Sequence, residues 1–263
     1  MSKINNQTKT NITASYIYTI ENGVIYFALC RKIQDGARQR INRTGKTGAA
    51  GTDEKYWGKW GNFGGGANSK ISAIKASIQE INDEGDLKSL GYNFDDNGNR
   101  TDGNNLICNF SIKIDYVSKT IPRKTIPMAI FLYELKYPKF FFKLYPKLVS
   151  EIGGQRILRN DGGRRGPGLV TSSHGEIDAV GSLSYEEMLD FQRCDNTVFL
   201  SYFCKTFNTT IKPELEKIEP EFKTEWGRIN LIINPDNSSR KPIELPVKDG
   251  EYKEVTDGKY RKN

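Results

Sequence analysis

Three acidic side chains spaced about one helical turn apart are the residues of this sequence best suited to chemistry. Glu80, Asp83 and Glu84 stand at i, i+3 and i+4, so on a helix they share one face. Such acids repel one another, and near a helix carboxyl terminus they also oppose the helix dipole. A bound divalent cation removes both penalties, and hard oxygen ligands suit Mg²⁺ or Mn²⁺. The spacing therefore predicts a metal site.

A run of glycines precedes the acids by one helix length. Gly64, Gly65 and Gly66 carry no side chains, so the backbone there can approach a phosphate closely. Together with the acids, this run predicts a site for a ligand that contains phosphate.

The intervening residues predict an amphipathic helix over 69–84, capped by Asn68 or Ser69 and ended by a left-handed Gly85. At about 100° per residue, one face carries the acids and the opposite face carries an apolar stripe. The stripe consists of Ile71, Ile74, Ile78 and Ile81. The small side chains are expected towards the acidic face, where they would leave space: Ala73, Ala76 and Ser77. An ordinary amphipathic helix with an acidic outer face is the alternative.

The stretch from Gly65 to Leu87 resembles the Nudix box. Alignment on Gln79–Glu84 places Gly65 at the leading glycine of the box and Leu87 at its closing aliphatic residue. The three acids then match the carboxylates that hold the metals in that family. The resemblance extends over about 14–207, because the upstream hairpin and a later strand and helix also fit the family's order of elements.

The box departs from the family pattern at four positions. Ile71 replaces the first Glu of the box, and Gln79 replaces its Arg. In the family this Glu and this Arg pair with each other, so the loss of both leaves no charge without its partner. Asp86 stands at the usual glycine, and Gly64 where proline is common. The metal-binding acids are kept, which favours an active enzyme. A catalytically degenerate member is the alternative.

The resemblance implies attack of water on a phosphorus of a nucleoside diphosphate linked to another group. Metal ions held by Glu80 and Glu84 would neutralise the diphosphate and help activate the water, with Asp83 as an additional or water-mediated ligand. The general base varies within the family. Glu176 is the first candidate and His174, the only histidine, the second. The alternatives are an exposed edge acid and a loop histidine without a role.

Basic loops flank the predicted site in the sequence, over 38–46 and 156–165. Arginine forks match phosphate geometry, so we expect these loops to contact substrate. The expected substrate-binding residues are Gly64, Gly65, Gly66, Arg31, Arg164 and Arg165. Aromatic side chains are candidates to stack a base: Trp57, Trp60, Tyr137 and Phe140–Phe142. Solvated loops with buried aromatics are the alternative.

Three functions remain open from the residues. The first is a hydrolase of small nucleotides, such as dinucleoside polyphosphates or nucleotide sugars. The second is an RNA-cap hydrolase, because the long basic insertions loosely resemble the viral mRNA-decapping branch of the family. The third is a silent module that binds nucleotide or RNA without hydrolysis.

The expected fold is an α/β/α sandwich with a mixed β-sheet and long polar insertions. The pattern predicts a hairpin over 14–32 around Asn22-Gly23, and a helix opened by Ser184. Further strands are expected over 106–116, 128–135 and 176–183, a short helix or surface insertion over 137–148, and a helix over 196–207.

Composition constrains the remaining expectations. The 263 residues carry a formal charge of +7, which favours encounter with polyanions. We expect a disordered segment over 1–13, a hydrolase domain over 14–234 and a polar tail over 235–263. Four scattered cysteines predict neither a zinc site nor a disulfide framework. Because there is no signal peptide and no apolar run of about 20 residues, we expect an intracellular protein, cytoplasmic or in a host cytoplasm, without membrane contact.

Overall fold

The computed structural model describes residues 2–3, 12–32, 58–66, 71–117, 125–152, 155–158, 177–194, 198–218, 231–233, 252–254 and 260–262. The strands are β1 (Ser2–Lys3), β2 (Ile12–Glu21), β3 (Val24–Lys32), β4 (Trp60–Gly61), β5 (Leu106–Val117), β6 (Thr125–Leu135), β7 (Val149–Ile152), β8 (Gln155–Leu158), β9 (Ile177–Ser184), β10 (Leu231–Ile233), β11 (Tyr252–Glu254) and β12 (Tyr260–Lys262). The helices are α1 (Ala73–Glu84), α2 (Pro138–Leu144), α3 (Tyr185–Cys194), α4 (Ser201–Thr206) and α5 (Lys212–Ile218), with a π-helical turn, Phe207–Ile211, between α4 and α5.

The predicted hairpin is confirmed as β2 and β3. Its two turn residues, Asn22 and Gly23, have φ of 53° and 76°. Positive φ at both central positions suits a two-residue hairpin turn whose twist matches that of the strands. The turn places Ile17 opposite Ala28 and so sets the register of both strands.

The main sheet is mixed. Its described strands run in the order β1-β5-β6-β2-β3-β4, and β9 pairs with β3. β2 runs parallel to β6, whereas the other pairings in this sheet are antiparallel. The predicted α/β fold with a mixed sheet is therefore confirmed.

Helices cover both faces of this sheet, as expected for an α/β/α arrangement. β2 shows the division, because successive side chains of a strand point to opposite faces. Tyr16 and Tyr18 belong to a core that includes Met188 of α3 and Phe203 of α4. Ile17 belongs to a second core on the α1 face. The second core also contains residues of α1 and α2: Ala73, Ile78, Ile81, Phe141 and Leu144.

A short segment fills a gap between β2 and β3. The two strands pair from Ile17 to Glu21 of β2, and they separate in the part of β2 that precedes Ile17. There β4 pairs with the end of β3, while Phe63 and Gly66 bridge to Ser15 and Ile12 of β2. We call residues 60–66 the inserted segment. The inserted segment contains Gly64, Gly65 and Gly66 and places them within the sheet.

Three local predictions were wrong. α1 begins at Ala73 with Ser72 as its N-cap, later than expected, and Gly85 has right-handed dihedral angles. Asp86 takes the left-handed conformation instead, with φ of 49°. α4 begins at Ser201, also later than expected.

The predicted capping box at Ser184 is confirmed. The Ser184 Oγ accepts a hydrogen bond from the Glu187 N–H, and the Glu187 carboxylate accepts one from the Ser184 N–H.

Only two pieces of the amino-terminal segment over 1–13 belong to the described residues, and its expected disorder stays a prediction. Ser2–Lys3 pairs with β5, and β2 begins at Ile12. None of the described helices combines the length and apolar character needed to cross a bilayer.

Candidate functional site

α1 packs on the sheet through its small residues. The Ser77 hydroxyl lies 2.7 Å from the Ser15 hydroxyl and 2.9 Å from the Tyr133 hydroxyl, and all three side chains are buried. Ala73 and Ala76 are buried in the same packing. The prediction that these small side chains leave space beside the acids was therefore wrong. They allow close approach of the helix to the sheet instead.

Glu84 ends the helix with its carboxylate directed into the protein. The residue is only 5% exposed. Its Oε2 accepts a 2.7 Å hydrogen bond from the backbone N–H of Gly64, and its Oε1 lies 3.0 Å from Nζ of Lys32. Burial of a carboxylate is costly unless charge and hydrogen bonds compensate it. Glu84 obtains one compensation from the inserted segment and the other from β3.

Glu80 reaches the same segment one turn earlier. A Cβ added to Gly65 would lie 3.2 Å from its Oε2. The pKa of the Cys30 thiol is affected by the same charges. Burial raises this pKa most, the carboxylates of Glu84 and Glu80 raise it further, and the ammonium of Lys32 lowers it. Two carboxylates of α1 thus converge on the glycines of the inserted segment.

The third acid of the predicted trio is placed differently. Asp83 is exposed, whereas Glu84 is buried and Glu80 is intermediate. In the part of the chain that the structure describes, no group of three or more His, Cys, Asp or Glu side chains could hold a metal ion. The three acids therefore differ in exposure, and their shared role as metal ligands stays a prediction. Two carboxylates still fit Mg²⁺, which is commonly bound through one or two carboxylates together with substrate phosphates.

The three glycines meet different surroundings. Gly64 has φ of +141°, and a Cβ there would lie 2.2 Å from the carbonyl oxygen of Thr13. Gly65 faces Glu80, as described above. A Cβ on Gly66 would meet no atom of the described residues within 4 Å. Only Gly64 is therefore required both by its backbone conformation and by close contact with another strand.

The variant Gly64→Ala should be strongly destabilised, because its dihedral strain alone costs about 1–3 kcal/mol and the contact with Thr13 forces the backbone to move. Gly66→Ala is the matched control and should change the free energy of unfolding by less than about 0.5 kcal/mol. Urea unfolding of both variants measures the difference. Equal stabilities would contradict the described path of the inserted segment.

Arg31 lies on the other face of β3. Lys32 and Cys30, its neighbours, both point to Glu84, so alternation along the strand directs Arg31 away from the acids. Its side chain is 1% exposed, donates from Nε to Asp178 at 2.8 Å, and has its guanidinium carbon 5.6 Å from the centre of the Trp60 ring. For the two terminal nitrogens of this buried guanidinium, the structure records no hydrogen-bond partner within its described residues.

Removal of the Arg31 partner should cost stability. Asp178→Ala leaves the guanidinium without this carboxylate, so we expect a loss near the lower end of the about 3–5 kcal/mol typical of broken buried pairs. Asp96→Ala is the matched control, because Asp96 is 54% exposed and pairs with Lys75 at 2.5 Å. That pair should contribute no more than about 1 kcal/mol. Denaturant unfolding that ranks the two variants the other way would contradict the burial of Arg31.

Several predicted site residues lie outside the described residues. These are His174, Glu176, Arg164, Arg165 and Trp57. Among the aromatic candidates for base stacking, Trp60 and Phe141 are fully buried and Tyr137 is 57% exposed. Burial excludes the first two from stacking on a ligand from solvent, whereas Tyr137 has an accessible face.

The role of Lys32 was not predicted from the sequence. Lys32 ends an apolar strand, two residues after Cys30, and a period of two places both side chains on one face. A buried strand that ends in a lysine is a signal of a buried anion nearby, but no pattern in the sequence shows that this anion is Glu84.

Comparisons with known proteins identify only distant structural similarity. No protein-family model matches the sequence, and no curated protein matches it. The structure is similar to a C. elegans Ap4A hydrolase at 14% identity, covering 50% of this chain and 72% of that chain, with a TM-score of 0.29. It is also similar to a C. elegans Ap4A hydrolase binary complex at 14% identity, covering 49% and 68%, with a TM-score of 0.28.

A third similar structure is a mutT/nudix family protein from Listeria innocua, at 17% identity, covering 78% of this chain and 95% of that chain, with a TM-score of 0.35. TM-scores and identities this low do not establish a shared activity. The residues of this chain itself must therefore carry any assignment of function.

Proposed function

We propose that the chain is a divalent-metal-dependent hydrolase that cleaves a phosphoanhydride bond in a substrate linked to a nucleoside diphosphate. The observation that carries this proposal is the convergence of Glu80 and Glu84 on the glycines between β2 and β3. It brings anionic oxygen ligands beside a backbone segment in which a Cβ on Gly66 would meet no described atom within 4 Å.

Glu80 and Glu84 are the residues that would hold Mg²⁺ or Mn²⁺, with Asp83 as an additional or water-mediated ligand. The metal would supply charge neutralisation at the diphosphate and a lower pKa for an attacking water. Glu84 suits this role because its backbone is fixed in α1 and its carboxylate is held by the hydrogen bond from the Gly64 N–H to Oε2.

The remaining roles follow from position in the chain and remain proposals. Backbone groups at Gly65 and Gly66 would line the phosphate path. Glu176 is the preferred general base and His174 the second choice. Arg164 and Arg165 would contact the substrate, and Tyr137 presents an exposed ring for base stacking. A contribution of Arg31 would act from the opposite face of β3.

Small nucleotides and capped RNA are the two substrate classes that fit these roles. Binding of capped RNA through the basic loops would weaken steeply with salt, because each neutralised phosphate releases counterions. Hydrolysis of a dinucleoside polyphosphate or nucleotide sugar would show a shallower dependence.

A second candidate function has its own supporting observation. The Lys32 ammonium already neutralises Glu84, at 3.0 Å and with both side chains less than a tenth exposed. If this pair persists when ligand binds, the fold serves as a nucleotide- or RNA-binding module without hydrolysis.

A screen with Mg²⁺ and Mn²⁺ over nucleotides, nucleotide sugars and capped RNA tests the proposal. Wild-type protein should release a nucleoside mono- or diphosphate only with the cation present. Glu80→Gln should lower kcat by a factor on the order of 100 or more, the usual size when one electrostatic partner of a transition state is lost. Circular dichroism checks that the variant is folded.

Glu21→Gln is the control, because Glu21 lies at the opposite end of β2, about 20 Å from Ser15 at the strand rise per residue. It should keep wild-type activity. Cation-independent binding of nucleotide or RNA without product release would favour the second candidate, and activity unaffected by Glu80→Gln would contradict the proposed metal ligands.

A further inference from the structure

Both oxygens of Glu84 are engaged by the protein itself. Oε2 is bound by the Gly64 N–H and Oε1 by the Lys32 ammonium. The Lys32 and Glu84 side chains are 8% and 6% exposed, so solvent does little to screen the pair. A cation that binds Glu84 through Oε1 must therefore displace the ammonium, whereas the bond from Gly64 can remain.

The displaced ammonium then faces an unfavourable field. A divalent cation at Glu84 repels it, and repulsion between close charges is stronger in a buried site than in water. A buried charge also needs a compensating partner. An incoming phosphate group supplies that partner, because a lysine ammonium has three donors on a flexible stem and binds phosphate as a point charge.

The backbone of Lys32 is held on both sides. Its N–H donates to the Lys59 carbonyl at 2.9 Å, and its carbonyl accepts from the Gly58 N–H at 3.1 Å. The strand therefore keeps the residue on the α1 face, beside the inserted segment. An exchange of partners would therefore move the side chain and leave the strand in place.

We infer that Lys32 is an exchangeable counter-ion, paired with Glu84 while the divalent cation is absent and with a substrate phosphate once the cation is bound. This inference rests on the proposed function. Its consequence is that the cation and the phosphate ligand bind cooperatively, since each removes an obstacle to the other. Linkage makes this effect reciprocal.

The test measures Mn²⁺ binding to the full chain by electron paramagnetic resonance, with and without methylenebisphosphonate, a non-hydrolysable pyrophosphate analogue. Binding of Mn²⁺ to the analogue alone is measured separately and subtracted. In the wild type, the analogue should tighten Mn²⁺ binding by about 5–150-fold, the usual range for coupled sites. In Lys32→Gln, Mn²⁺ should bind more tightly than to the wild type without the analogue, and the analogue should add little.

Lys147→Gln is the matched control. Lys147 also pairs with a glutamate at 3.0 Å, but this partner is Glu21 at the hairpin end, and the lysine is 47% exposed. Its Mn²⁺ affinity and coupling should equal those of the wild type. If Lys32→Gln does not fold alone, added Mn²⁺ should restore its thermal transition. A variant that Mn²⁺ does not rescue overturns the inference.

The outcomes separate this inference from the function it rests on. Absence of Mn²⁺ binding to the wild type under both conditions contradicts the proposed metal site. A different set of results would overturn only the role of Lys32. The wild type would bind Mn²⁺ equally well with and without the analogue, and Lys32→Gln would have the same affinity. Weaker Mn²⁺ binding to Glu80→Gln would still support the metal site.

Discussion

The buried carboxylate of Glu84 connects three parts of the structure that are distant in sequence. α1 supplies the carboxylate, the end of β3 supplies the ammonium of Lys32, and the inserted segment supplies the N–H of Gly64. Each bond offsets part of the cost of removing a charge from water, and the loss of either leaves that cost uncompensated. The helix end, the strand end and the glycine path are therefore positioned together.

The separation of β2 from β3 makes this arrangement possible. A continuous hairpin would use its backbone groups in strand pairing, but here the inserted segment takes over pairing to both strands. Gly64 follows a path that a side chain would block, and its N–H is directed to the helix. Glu80 meets the same segment one turn earlier. The candidate site is thus a property of the gap between two interior strands and of the helix packed above it.

Local signals in the sequence were sufficient for the hairpin turn at Asn22-Gly23, the capping box at Ser184 and the helix that carries the acids. The fold class followed from the order of such elements and from the resemblance to the Nudix box. The tertiary contacts were not predictable in the same way. The spacing of the acids could not show that Ser77 faces Ser15 across the helix–sheet interface, or that Asp83 is exposed while Glu84 is buried. The partnership of Lys32 and Glu84 depends on strand separation, which no local pattern encodes. At Asp86, the residue at the usual glycine of the box adopts the left-handed conformation that glycine favours.

Anomalous diffraction from crystals grown with Mn²⁺ and methylenebisphosphonate would locate the cation and the Lys32 ammonium in the same experiment. We expect a manganese peak within bonding distance of the Glu80 and Glu84 carboxylates, with the Gly64 N–H still bound to Glu84 and the Lys32 ammonium moved to a phosphonate oxygen. The opposite result is an intact Lys32–Glu84 pair with no manganese peak beside it, in crystals that hold the analogue at the glycines; it would contradict both the metal ligands and the exchange of Lys32.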